Sequence, residues 1–140
     1  MDIIFSLSRP VADTLVFAVI KGAAVVAPVA AAATLAAAAQ AARFSGDAGS
    51  SFESFVEEDG RVVRVLLLGV GAGTDADMEK AGGALTARLI NSGATHAAVE
   101  FLGNIGGESA ARLAFGAQLR SWRIDTYRTR QHETAKPTLT

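Results

Sequence analysis

Arg61-Val62-Val63-Arg64-Val65-Leu66-Leu67-Leu68, followed at once by Gly69-Val70-Gly71-Ala72-Gly73-Thr74-Asp75, decides the fold. The first eight residues are the most strand-like in the chain. Their nearly continuous apolar character implies a strand buried on both faces, and hence a sheet covered by helices. From Asp75 the period changes. Met78, Ala81, Leu85 and Leu89 recur at helical spacing, and Asp75, Asp77 and Glu79 occupy the first turn, where the helix dipole favours acids. Asn91-Ser92-Gly93 ends that helix.

Upstream, Glu58-Asp59-Gly60 is a hairpin signal, joining the strand at 61–68 to an alternating strand at 51–57. Residues 45–51 (SGDAGSS) form a loop by composition. Residues 13–20 (DTLVFAVI) and 2–8 (DIIFSLS) are two further strands, the latter closed by Arg9-Pro10. Downstream, 95–102 (THAAVEFL) is a strand, 103–107 a glycine-rich loop, and 108–122 a helix with Ala111, Phe115, Leu119 and Trp122 on one stripe. Residues 124–129 (IDTYRT) predict a final short strand. Strands alternating with helices specify an α/β sandwich around a largely buried sheet. Residues 1–131 make the domain, and 132–140 read as a linker or tail.

Composition narrows the function. At 140 residues the chain fits one domain, long enough to fold without disulfides or a structural metal. It has no Cys, which excludes a thiol nucleophile and a Cys-ligated zinc. Lys and Arg number 13 against 14 acids, so no global charge draws the chain to nucleic acid or anionic lipid. Of the 29 alanines, 13 lie between Ala23 and Ala42, within a stretch free of charge from Lys21 to Arg43. That stretch is long enough for a bilayer, but Pro28 interrupts it and Ala contributes little transfer free energy. Met1-Asp2-Ile3-Ile4 carries no positive charge, so no secretory signal is expected. The reading is a helix over 29–44 that lies close against a sheet.

Candidate sites are few. Gly69, Gly71 and Gly73 sit where a dinucleotide-binding turn would be, between a buried strand and a helix. The fingerprint places its third glycine where Thr74 stands, and Glu100, the nearest candidate for a ribose-binding carboxylate, comes late. The three acids after the turn would also repel a pyrophosphate. A tight turn with close packing is the competing explanation. His96 and His132 are too far apart to frame a metal site. Glu57-Glu58-Asp59 reads as a solvated turn. No nucleophile elbow, zincin motif or phosphate-binding loop is present, so no catalytic or metal-ligating residue is assigned. Arg112, Arg120, Arg123, Arg128 and Arg130 form a basic end, either a partner-binding face or an ordinary solvated one.

Two segments together resemble a known family. Residues 64–71 (RVLLLGVG) look like the strand-and-glycine signature in the N-terminal domain of the leucyl (cytosol) aminopeptidases. Residues 114–128 (AFGAQLRSWRIDTYR) resemble that family's helix-to-linker pattern, with Gly116, Leu119, Trp122, Asp125 and Tyr127 in register. The intervening Lys80-Ala81-Gly82-Gly83-Ala84-Leu85 is also typical. The resemblance implies a macro-like three-layer sandwich, a mixed central sheet with helices on both faces. It further implies a cytoplasmic hydrolase, a metalloprotease whose later catalytic domain holds two divalent metal ions (zinc or manganese) and assembles as a hexamer. The family's catalytic and metal-binding residues belong to that later domain, so none transfers to this chain. Two alternatives stay open: a nucleotide or ADP-ribose module using Gly69 to Gly73, and an interaction domain using the basic end.

Overall fold

A computed structural model describes residues 11–23, 25, 27–29, 31–102, 107–127 and 138–139, with side chains described to Trp122 in the last helix and for Leu139. The expected strand at 2–8, most of the 103–107 loop, His132, Arg128 and Arg130 lie outside the described residues. The elements run β1 (Thr14–Val19), α1 (Ala32–Ala41), β2 (Ser51–Glu58), β3 (Arg61–Gly69), α2 (Asp75–Ile90), β4 (His96–Phe101), α3 (Gly107–Tyr127) and β5 (Thr138–Leu139).

The five strands lie in the order β2-β3-β1-β4-β5. β1 pairs parallel with both β3 and β4, β4 pairs parallel with β5, and β2 pairs antiparallel with β3, so the sheet is mixed. The β2–β3 turn falls at the expected place. Asp59 (φ 51°) and Gly60 (φ 79°) both take positive φ, as a two-residue hairpin of the I′ type requires. β1 is buried at every residue, and β3 becomes so from Val65 onward. That is why these segments read as unbroken apolar runs.

Period-two alternation sends the two halves of each strand to different helices. Val16, Ala18, Leu66, Leu68 and Val70 meet Met78, Ala81, Leu85 and Leu89 of α2 and Leu113 and Ala117 of α3. Leu15, Phe17, Val19, Val65 and Leu67 meet Leu35 and Ala39 of α1. Each fully buried Leu, Val or Phe contributes about 1.5–3 kcal/mol to the hydrophobic term. The alanine run forms a helix as expected, but shorter, spanning ten residues. Val29 and Phe44 still pack on the same core from outside it.

One expectation is overturned. Residues 124–127 continue α3, where a short strand was predicted. Adding residues to an already nucleated helix outweighs the weak strand preference of Ile, Thr and Tyr. Thr138–Leu139, in the segment expected as a linker, add a parallel strand beside β4, and Leu139 is buried.

Candidate functional site

The glycine turn lies at the carboxyl ends of β1 and β3, the place where α/β sheets commonly bind ligands. Here each N–H from Gly69 to Gly73 is spent within the chain. Gly69 N donates to Ser50 O (2.8 Å), Val70 N to Val19 O (3.0 Å), Gly71 N to Gly46 O (2.9 Å) and Gly73 N to Val70 O (3.0 Å). Ala72 N donates to the Asp77 carboxylate (3.0 Å), and Thr74 caps α2 by accepting from Asp77 N (3.2 Å). The Asp77 carboxylate thus occupies the helix N-terminus where a phosphate would sit.

The glycines are explained by close approach. A Cβ on Gly69 would meet Gly46 C and Ser50 Oγ at 2.6 Å, and one on Gly71 would meet the Asp77 carboxylate at 2.8 Å. The loop at residues 45–50 fills this end of the sheet. It is fastened by a salt bridge from Lys21 to Asp47 (2.8 Å) and by Lys21 N donating to Gly71 O (2.9 Å). The hydrogen bond from Lys21 holds the Asp47 carboxyl below its ordinary range, and the same bond raises Lys21. Glu100 lies on β4, and β1 separates β4 from the glycine strand β3. Nothing in this geometry supports a nucleotide site at Gly69, Gly71 and Gly73.

The other candidates also disperse. His96 is half-buried at the start of β4, and no cluster of three metal-ligating side chains exists among the described residues. Glu57 and Asp59 are exposed at the hairpin tip. In the basic end, Arg112 pairs with α2 at the surface, with Nη1 donating to Glu79 (2.9 Å) and Nε 3.7 Å from Asp75. Two of the three acids after the turn thereby neutralise it, and Arg120 borders the groove between α2 and α3. At the opposite end of the strands, Asp13 ties β1 to β4 by accepting from Thr95 N (2.9 Å) and Thr95 Oγ1 (2.6 Å). Burial pushes the Asp13 carboxyl up, but the hydrogen bonds from Thr95 and Thr14 prevail and hold it below 3.8. No helix among the described residues is long and apolar enough to cross a membrane.

What sequence reasoning missed is the α2–α3 crossing. A Cβ on Gly82 would fall on the Leu113 carbonyl and 2.8 Å from Ala117 N, and one on Gly116 would fall on the Glu79 carbonyl and 2.7 Å from its Cα. The two backbones touch, and Thr86 Oγ1 donates to Ala117 O (2.9 Å) inside the contact. Leu113, Ala117 and Ser121 take the buried side of α3. The larger side chains of the apolar stripe, Phe115 (53% exposed) and Trp122 (62%), face outward.

Residues 18–131 match the family model described as the cytosol aminopeptidase family, N-terminal domain. A "Probable cytosol aminopeptidase" of Sinorhizobium fredii is 33% identical over 132 residues, covering 89% of this chain and 27% of the relative. One from Rhodopseudomonas palustris is 32% identical over 124 residues, covering 85% and 24%. The chain therefore spans about a quarter of the length of these relatives. Among solved structures, a mutant of tomato leucine aminopeptidase superposes with a TM-score of 0.69 at 21% identity, over 99% of this chain and 32% of that one. The bottromycin maturation enzyme BotP gives 0.66 at 25%, over 93% and 27%. With strand order, glycine turn and helix crossing in place, these matches show that the chain belongs to the cytosol aminopeptidase family, as its N-terminal domain.

Proposed function

We propose that this domain serves a leucyl aminopeptidase, a two-metal exopeptidase that removes N-terminal residues from peptides in the cytoplasm, and that it contributes to assembly and not to the chemistry. The observation that carries this reading is the family match over residues 18–131 in a chain spanning a quarter of its relatives. The remaining length would hold the catalytic domain, its two zinc or manganese ions and the contacts that build a hexamer. A manganese complex of BotP supports metal use in a protein of this fold. The described residues of this chain do not fit such a site, because they bring no three His, Asp or Glu side chains together. No step of hydrolysis is assigned to them.

Two measurements test this. The purified chain, given leucine p-nitroanilide with Mn²⁺ or Zn²⁺, should release no nitroaniline; release would overturn the non-catalytic role. A chimera carrying this chain in place of the N-terminal domain of the Sinorhizobium fredii relative should match the parent's mass by light scattering. A soluble chimera that stays monomeric while the parent assembles would overturn the role in assembly.

A further inference from the structure

Face to face across an open groove of about 700 Å³, the β2–β3 hairpin and the last turns of α2 place two guanidiniums against a single carboxylate. Glu53 Oε2 lies 3.7 Å from Arg64 Nε and 3.8 Å from an Arg88 terminal nitrogen. Charge-assisted hydrogen bonds are about 2.7–2.9 Å long, so Glu53 closes neither contact. Arg64 Nε is covered from solvent and has no hydrogen-bond acceptor, one of two such buried side-chain atoms among the described residues. The Phe55 ring backs the Arg64 guanidinium, 5.4 Å from its centroid. Arg88 remains about half exposed at 48%. Ser51 and Asn91 add polar groups to the same wall. A buried donor with no acceptor calls for an explanation, and an incomplete triad of net charge plus one supplies one.

We propose that this groove is an oxyanion-binding site in which Arg64 and Arg88 together grip a carboxylate or phosphate group, with Glu53 spacing the two guanidiniums. Arg64 lies over the Phe55 ring and Arg88 stands on the last turn of α2, so both guanidiniums already line the groove. The oxyanion is that of a small phosphorylated or carboxylated metabolite entering the groove.

The test is titration of the purified chain with inorganic phosphate and, separately, with acetate at matched ionic strength, following the arginine Nε–Hε signals by NMR. Both Arg64 and Arg88 signals should shift and saturate in the millimolar range. Preference for phosphate assigns the site to a phosphorylated ligand, and preference for acetate assigns it to a carboxylate. Arg88→Gln should weaken binding about tenfold, the loss of one charged hydrogen bond. Glu53→Gln should tighten it, because the competing negative charge is removed. Both variants should keep the parent's far-ultraviolet circular dichroism spectrum. Signals that stay fixed at tens of millimolar of either anion, or a Glu53→Gln variant that binds more weakly, would overturn the proposal.

Discussion

The two faces of the sheet are covered by different means. On one, α2 and α3 cross so closely that Gly82 and Gly116 set backbone against backbone, and a buried hydroxyl bond from Thr86 ties them. On the other, α1 is the only helix among the described residues, ten residues with only Leu35 and Ala39 buried, no side-chain cap and no charge at either end. α2 by contrast has the Thr74 cap, acids in its first turn and Arg88 in its last. High alanine content makes a helix easy to form but gives it little to bury. Glycine does the reverse, because it costs helix propensity and gains contact through close approach. Among the described helices, the tighter backbone contact is therefore on the α2–α3 face.

The sharpest way to break this contrast is at the crossing. Gly116→Ala should cost about 3 kcal/mol by urea denaturation, since its Cβ meets backbone that cannot yield. Gly83→Ala, one residue from Gly82, should do the opposite. Its Cβ would sit 3.8 Å from Gly116 O and 3.9 Å from Arg120 Cβ, an ordinary contact, so the better helix former should stabilise by about 0.5–1 kcal/mol. Equal effects at the two sites would refute the close crossing.

The next comparison is between cores. Leu85 on α2 and Leu35 on α1 are both buried. Leu85→Ala should cost about 3–4 kcal/mol and Leu35→Ala nearer 2, because a short, uncapped helix can settle into the space left behind. Matching losses in a urea series would show that α1 is held as firmly as α2.

The smallest effect is electrostatic and belongs to the strand ends shared by both faces. Asp13 titrates lower in the folded protein than in the unfolded chain, so its contribution is present above the unfolded value. It is lost as pH falls through the folded one, below 3.8. Thermal melts between pH 5 and 3 should show Asp13→Asn losing less stability on acidification than the parent. A parallel decline in the two proteins would place the effect elsewhere.

How much of this was legible follows from what each signal measures. Residues 65–68 could be read because burial on both faces leaves no polar residue to blur the run. α2 could be read because Met78, Ala81, Leu85 and Leu89 mark its buried stripe. On α3 the same logic points to the wrong side. Phe115, Leu119 and Trp122 are the conspicuous apolar residues, yet the buried line runs through Leu113, Ala117 and Ser121 beside Gly116. Hydrophobic periodicity weighs large side chains, and a crossing built on the absence of side chains leaves no such trace. The glycine turn was legible as a turn, but the loop at residues 45–50 that fills the sheet end is distant in sequence, and only the fold brings it there. Arg64 and Arg88 likewise meet only because an antiparallel hairpin is laid beside the end of a helix.

Strand order also bears on how the chain acquires its shape. Among the described strands β1 is first in sequence, yet it lies between β3 and β4. A ribosome would release its six buried residues well before either neighbour exists. β3 is complete only at Gly69 and β4 at Phe101, so this buried strand waits for some eighty residues after its own end before both of the hydrogen-bonding partners that enclose it exist. The alanine helix, able to form early from local contacts, is what β1 can shelter against in the interval. A helix that adds little to the finished domain can therefore matter most before the domain is finished.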